Sequence, residues 1–395
     1  MSTRPLVLCR TGTVRQWLGG RASAISNRHY STNQDEDGHW HSHSHSHSHS
    51  HTHTEMPGVR EPRSGPVDSF SESSGPESDT SRLSIASARQ YCTSFLESSF
   101  MSSNLITPFT PGPSRDAHIA ICSLSAALRH ASHPPLTSSA NISLSSGSSV
   151  ASARLRLQFW KQTIQDMFAG KTPPSEPVAV LLADVIRTHS YTRGFFMRMV
   201  DARMTRVGDP PVPNVAALAD YGEGAYASML YLLGESMPGS RAVTAEHVCS
   251  HIGRAMGVVE TLIDFPSMIL RRGRVLLPID VMVRHGLREE DVVRRTDVHD
   301  ADVRRKLADA VFEVATHAND QLITARTMLE EVVNQRGGRK NIDDAMFAPV
   351  LSAVPIRVWL EKLEKTDFDL FSPKLKVKDW NLPWKMYWAY RSRKI

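Results

Sequence analysis

Two acidic residues, Glu260 and Asp264, lie four positions apart in a segment with helical apolar spacing. That spacing places both carboxylates on one face of a helix, where oxygen ligands of this kind could hold a magnesium ion. A cationic run follows them, in which Arg271, Arg272 and Arg274 could hold an anionic head group through charge-assisted hydrogen bonds. For the acidic pair we prefer the alternative interpretation, a partly solvated acidic helix face.

Three other groups of polar residues have spacings that suit metal ions. His247 and His251 lie one helical turn apart, but no HExxH glutamate accompanies them, so a core or capping role is preferred. Asp309 and Glu313 form another i, i+4 acidic pair, and the basic run one turn earlier favours a solvated face. Histidines at every second position over 39–53 could bind zinc, nickel or copper without fixed geometry, although low-complexity expansion is the preferred interpretation.

The sequence has none of the common cofactor or nucleophile motifs. It has no GxGxxG followed by the required strand, no Walker loop and no GxSxG elbow. We therefore expect no cofactor.

The elements that would position these side chains are helices. From about Ser87 onward, apolar residues recur at spacings of three and four, and no run of alternating strands is found, which predicts an all-α fold. The longest pattern predicts one helix over about 300–334. An earlier helix runs toward Phe265, and Pro266 is expected to end it. Helices of this length packed side by side form a bundle whose centre could hold a cavity.

Composition divides the chain into four regions. Residues 1–30 carry five arginines without lysine or acid, which is typical of a mitochondrial transit peptide cleaved near residue 30. Residues 31–85, with the histidine tract, have too few large apolar side chains to fold and are predicted to be a disordered linker. A helical domain is predicted over 86–335, with a serine-rich loop insertion at 132–152. A C-terminal helical extension with an aromatic and basic end is predicted over 336–395.

Charge and cysteine content exclude several classes of protein. The net charge of +5 is accounted for by the five arginines of the first region, so the remaining chain is neutral and a nucleic-acid partner is not expected. The four cysteines are widely spaced without a CxxC motif, which argues against a disulfide framework or a thiolate zinc site. No apolar stretch is long enough to span a membrane.

The arginine run and its surroundings resemble a known family. Leu270 to Asp280, followed by His285-Gly286-Leu287, is similar to a stretch of the squalene and phytoene synthases in which an arginine-glycine-arginine run leads into a leucine-proline turn. Weaker similarities follow the same order, at Arg154 with Phe159-Trp160, at Phe196 to Asp201, and at Tyr221. The resemblance covers residues 86–335 and implies the isoprenoid synthase fold, an all-α bundle around a deep pocket.

This resemblance also predicts where metal-binding acidic residues should lie in the sequence. In the family, carboxylate clusters on two facing helices hold the magnesium ions that bind diphosphate. Aligned on the arginine run, the second pair would fall at Phe265 and Ile269, and the helix around 120–129 that would carry the first cluster has no acid. The resemblance therefore implies no catalytic residue and no catalytic metal, with Glu260 and Asp264 as weak metal candidates.

The C-terminal end interleaves tryptophan and tyrosine with lysine and arginine over 380–394. Such a segment suits a membrane interface and docking against the protein's own bundle equally well. With residues 154–160 and the carboxylate-poor pocket, this end is similar to a branch of the family that assists assembly of respiratory complex I, NADH:ubiquinone oxidoreductase. That resemblance implies a matrix-side protein, peripherally attached to the mitochondrial inner membrane, that binds complex I subunits or assembly intermediates without catalysis.

Two alternative functions remain at this point. One is a divergent magnesium-dependent prenyl transferase that uses Glu260 and Asp264. The other is a lipid-binding module, in which the three arginines hold a phosphate and the pocket takes an isoprenoid or other lipid chain.

Overall fold

The computed structural model describes residues 84–97, 100–132, 146–237, 243–295 and 301–395. Within these ranges the secondary structure is helical and contains no β-strand, which confirms the predicted all-α class. The predicted transit peptide, the histidine tract and residues 31–83 of the predicted linker lie outside the described residues.

The described helices follow one another through short connections. A π-helical turn, Glu223–Ala227, joins the sixth and seventh helices, and 3₁₀ turns separate the first from the second. In chain order the α-helices are α1 (Ile85–Glu97), α2 (Arg115–Ser132), α3 (Ser146–Phe168), α4 (Pro177–Thr188), α5 (Arg193–Thr205), α6 (Val215–Gly222), α7 (Ser228–Glu235), α8 (Val243–Arg272), α9 (Ile279–Arg284), α10 (Glu289–Arg295), α11 (Ala301–Gln335), α12 (Asp344–Val350), α13 (Ala353–Lys365) and α14 (Leu382–Ser392).

The two longest helices form the spine of the bundle. Helix α11 presents the apolar seam predicted from its spacing to α8, and the seam is buried at Leu307, Val314, Leu322 and Leu329. On its other side α8 packs against α6 and the π-helical turn. Helices α12 and α13 also pack on α8, so the predicted C-terminal extension joins the same core.

The expectation that Pro266 ends its helix is wrong, since α8 continues through it to Arg272. Proline within a helix costs about 3 kcal/mol because it lacks an N–H and crowds the preceding turn. Around it, Phe265, Met268 and Ile269 are all buried. Burying side chains of this size stabilises by about 1.5–3 kcal/mol each, which outweighs the cost of the proline.

Small residues bring α8 very close to its neighbours. A Cβ atom added at Gly257 would lie 2.4 Å from the Cα of Gly222 in α6, and one added at Gly253 would lie 2.3 Å from the backbone nitrogen of Ala227. These positions admit only glycine because backbone meets backbone at the crossing. The close approach also lets side chains of α6 reach those of α8.

The serine-rich insertion predicted over 132–152 is shorter in the structure. Helix α3 already begins at Ser146, so the last seven residues of that range are helical, and only 133–145 lie outside the described residues. Val150 is half-buried, and Ala153 and Leu157 are fully buried on the same face. This apolar face outweighs the weak helix propensity of the serines.

Candidate functional site

A cluster of charged and aromatic side chains lies inside the bundle, where α2, α5, α6, the π-helical turn and α8 meet. It contains the acidic pair named from the sequence together with groups from four other elements. Its members are Arg129, Arg203, Tyr221, Tyr226, Glu260 and Asp264.

Glu260 of α8 is the centre of this cluster and is 4% exposed. Its Oε1 accepts hydrogen bonds from Arg129 Nε at 2.7 Å and Arg203 Nη1 at 2.8 Å, and its Oε2 accepts one from the Tyr221 hydroxyl at 2.8 Å. Burial alone would raise the pKa of Glu260, but the two guanidinium groups more than offset it and hold the pKa well below its usual range. The carboxylate is therefore ionised and fully hydrogen-bonded.

Arg203 of α5 is a charged side chain in the core, only 1% exposed. Its guanidinium contacts both Glu260 oxygens and the Tyr221 hydroxyl, and it lies 5.4 Å and 5.0 Å from the ring centroids of Tyr221 and Tyr226. Burial raises the pKa of both tyrosines, so they stay neutral. Aromatic faces and one carboxylate thus replace water around this cation.

Arg129, near the end of α2, joins both acidic residues of the candidate metal pair. Its Nη2 donates to Asp264 Oδ1 at 2.5 Å, while its Nε donates to Glu260. The structure does bring Glu260 and Asp264 together, as their i, i+4 spacing predicts, but a guanidinium occupies the space between their oxygens. Among the described residues, no three His, Cys, Asp or Glu side chains are grouped so that they could hold a metal ion.

The positions at which the family alignment places metal ligands are part of the hydrophobic core. Phe265 is fully buried and Ile269 is 4% exposed. The facing segment of α2 is buried continuously from Ala117 to Ser125. Between α2, the π-helical turn and α8 there remains a cavity of about 20 Å³, lined by Cys122 and Arg129 among others. A space of that size holds about one water molecule.

The three arginines proposed as an anion site are in different environments. Arg271 and Arg274 are exposed, whereas Arg272 is half-buried and its Nη1 donates to Asp209 Oδ2 at 2.8 Å. Arg272 is thus already paired with a carboxylate of the protein. The exposed guanidinium groups of Arg271 and Arg274 remain for an external anion.

The remaining metal candidates also have protein partners or lie apart. His251 Nδ1 is 2.7 Å from Gln321 Oε1, while His247 is exposed. Glu313 accepts hydrogen bonds from Arg284 and lies 2.8 Å from His285 Nε2. Asp309 is half-buried. These contacts are of the kind that tie one helix to the next.

Sequence reasoning missed both arginines that define the cluster. A signal for Arg203 was present, because Phe196, Met199, Val200 and Arg203 recur at helical spacing and are all buried. An arginine in line with three core residues indicates a buried cation with a partner. Arg129 gave no such signal, since its partners lie 131 and 135 residues further along the chain.

Comparisons with known proteins agree with this architecture. The squalene/phytoene synthase family profile matches residues 103–386. A crystal structure of a dehydrosqualene synthase in complex with ligand superimposes with a TM-score of 0.57 at 17% identity, covering 78% of this chain and 97% of that one. That likeness shows the isoprenoid synthase fold.

Curated relatives carry a different description. Proteins of Bos taurus and Homo sapiens named NADH dehydrogenase (ubiquinone) complex I, assembly factor 6 are each 34% identical to the chain over 233 residues. The match covers 59% of this chain and 64% of each relative, so the chain spans less than two thirds of the length of these relatives.

Proposed function

Because the chain belongs to the squalene/phytoene synthase family and resembles relatives named for complex I assembly, we propose that it is a non-catalytic assembly factor for mitochondrial respiratory complex I. The synthase fold serves here as a binding scaffold for complex I subunits or assembly intermediates. The protein acts on the matrix side of the inner membrane and associates with it peripherally. None of the described helices has both the length and the hydropathy that a membrane span requires.

The position of Arg129 is the observation that carries the non-catalytic part of the proposal. Ionising a prenyl diphosphate with magnesium requires carboxylates that are available to the metal. Here the two candidate carboxylates are already paired with Arg129, and Glu260 is also held by Arg203. A metal ion between them would have to displace a guanidinium that makes a charge-assisted hydrogen bond to each acid.

The size of the central cavity supports the same conclusion. Small-molecule pockets usually measure about 300–1,000 Å³, whereas the cavity beside Arg129 measures about 20 Å³. A prenyl chain placed in this cavity would need several of the side chains that line it to move apart. Surfaces of the bundle, which need no such movement, are the natural place for partner binding.

The assembly role is tested by deleting the gene and measuring complex I on native gels, with wild-type and Asp264→Asn proteins expressed for rescue. We expect complex I to fall after deletion and to recover with both proteins. Asp264 is on the edge of the cluster, with 24% of its side chain exposed, and Arg129 keeps Glu260 as a partner in the variant. Complex I that stays intact after deletion would refute the assembly role, and rescue by wild type alone would favour metal chemistry at Asp264.

The enzymatic alternative is tested directly in vitro. The purified protein is incubated with prenyl diphosphates and magnesium, and the release of diphosphate is measured against a buffer blank and Asp264→Asn. We expect no release above the blank. Release by the wild type that Asp264→Asn abolishes would establish a divergent prenyl transferase instead.

A further inference from the structure

The last helix, α14, is apolar on two opposite faces. One face is buried against the protein through Leu382, Met386 and Ala389, which recur at i, i+4 and i+7. The other face carries large aromatic side chains, and a further one, Trp380, lies two residues before the helix begins. Together these outward side chains form what we call the tryptophan face, consisting of Trp380, Trp384, Tyr387 and Trp388.

In the structure these four aromatic side chains do not dock the helix on the bundle. Trp380, Trp384 and Trp388 are 82%, 61% and 63% exposed, and Tyr387 is 44% exposed. The rings of Trp384, Tyr387 and Trp388 touch one another, with centroids 6.4 Å apart for the first two and 5.6 Å apart for the last two. The helix docks on the bundle through its other face, so these three rings form a continuous apolar surface exposed to solvent, and Trp380 is exposed just before the helix.

Positive charge surrounds the tryptophan face. Residues 372–395 contain seven lysines and arginines and one aspartate. That aspartate, Asp379, accepts a hydrogen bond from Lys385 Nζ at 2.9 Å. The approach to α14 carries three exposed lysines, Lys374, Lys376 and Lys378, and the helix continues to the exposed Arg391 one turn beyond Trp388.

We propose that the tryptophan face and its lysines dock the protein onto an anionic phospholipid bilayer. Tryptophan and tyrosine are favoured at the boundary between head groups and acyl chains, where an apolar ring and a polar ring atom are both satisfied. Each lysine or arginine near an anionic membrane surface contributes about 1 kcal/mol of attraction. Tryptophan and tyrosine are also enriched in protein–protein interfaces, but lysine is depleted there, so the lysines around this surface favour a lipid bilayer over a protein partner.

This inference rests on the peripheral association proposed above and specifies which surface makes it. The aromatic rings would enter the interface while the lysines meet lipid phosphates. Helix α14 would then lie along the membrane plane, with its Leu382, Met386 and Ala389 face still on the bundle. No helix needs to leave the fold for this binding to occur.

The test measures sedimentation of the purified full-length protein with phospholipid vesicles, together with its tryptophan emission. One set of vesicles is phosphatidylcholine, and the other contains phosphatidylcholine and phosphatidylglycerol in equal parts. We expect binding to the anionic vesicles with a blue shift of emission, and little binding to the neutral ones. Trp384→Ala with Trp388→Ala should weaken binding by about tenfold or more, because both side chains lose apolar contact area.

The charge contribution is tested with a triple variant, Lys374→Gln, Lys376→Gln and Lys378→Gln. At about 1 kcal/mol for each lysine, its affinity for anionic vesicles should fall about a hundredfold. A control variant with the same net charge as this triple variant has three exposed cations removed elsewhere on the protein, through Arg288→Gln, Lys340→Gln and Lys365→Gln. That control should bind nearly as tightly as the wild type.

The aromatic variant has a matched control of its own, Leu155→Ala with Val283→Ala, which removes two apolar side chains that are each 71% exposed. Absence of wild-type binding, or equal binding by the wild type and the aromatic and lysine variants, would overturn the proposal. The proposal would also be overturned if both control variants weakened binding as much as the aromatic and lysine variants do, because the attraction of the protein to the vesicles would then be non-specific. Failure here leaves the gel result on complex I unaffected, so the two proposals can fail separately.

Discussion

The buried cation in the core makes a quantitative prediction about stability. Replacing Arg203 by Met keeps much of the side-chain volume but removes the hydrogen bonds to both Glu260 oxygens and the contacts with two aromatic rings. Breaking one partner of a buried ion pair costs about 3–5 kcal/mol, because the other charge is left without compensation. Arg129 and Tyr221 still donate to Glu260, so we expect the lower end, about 3 kcal/mol.

The assay is urea unfolding followed by circular dichroism, with a thermal scan alongside. A loss of this size in a domain of this length corresponds to a fall in Tm of about 5–8 °C. Arg198→Met on the same helix is the control. Arg198 is half-exposed and lies 3.7 Å from Glu223, and such surface pairs contribute at most about 1 kcal/mol.

A second variant separates charge from packing. If the cost of Arg203→Met comes from the uncompensated carboxylate, adding Glu260→Gln should recover about 1 kcal/mol or more relative to the single variant. Asp264 remains as the partner of Arg129 in that double variant. A loss below about 1 kcal/mol for Arg203→Met, or a double variant less stable than the single one, would refute the reasoning.

Three further predictions concern acid, packing and thiol chemistry. Burial lowers the pKa of His118 to about 4, whereas the pKa of histidine in the unfolded chain is about 6.5. The folded state is therefore fully stable above a pH of about 6.5 and loses stability as the pH falls from about 6.5 towards 4, because only the unfolded chain takes up the proton in that range. Between pH values of about 7.5 and 5, the free energy of unfolding of the wild type should therefore fall by about 2 kcal/mol more than that of His118→Gln; equal falls would contradict this. Gly253→Ala, whose Cβ would lie 2.3 Å from a backbone nitrogen of the π-helical turn, should destabilise by about 3 kcal/mol in urea unfolding. Gly234→Ala, whose Cβ would meet nothing within 4 Å, should stabilise by roughly 0.5–1 kcal/mol, and the reverse order of the two glycine variants would be evidence of a different helix crossing. Burial raises the pKa of Cys122 and Cys249 to about 12, so mass spectrometry should find both unmodified by iodoacetamide until the protein is unfolded, and rapid labelling of the native protein would count against the described core.

The helical class and the long elements were predictable because apolar periodicity is a local property. The seam of α11 is an example, since its apolar residues recur every three or four positions and most of them are buried. The continuation of α8 through Pro266 was not predictable in this way. Its outcome depends on what Phe265 and Ile269 pack against, and those neighbours come from other parts of the chain.

The candidate site shows the same division between local and distant information. The i, i+4 spacing of Glu260 and Asp264 correctly placed both carboxylates on one face, where Arg129 joins them. The cation could not be assigned to them from spacing, because only the fold brings the Arg129 side chain of α2 to the carboxylates of α8. The sequence around the arginine run suggested three free guanidinium groups. The pairing of Arg272 with Asp209, which lies 63 residues earlier, depends on the fold and could not be seen from the sequence.

The ion pairs of Arg129 restrict the order in which this chain could acquire a metal site by mutation. Losing Arg129 alone would remove the guanidinium that contacts Asp264 and deprive Glu260 of one of its two guanidinium groups. Gaining acids on α2 while Arg129 is present would only give that arginine more anions to bind. A metal site for diphosphate at this position would therefore be reached only through a destabilised intermediate sequence, and no single substitution creates it.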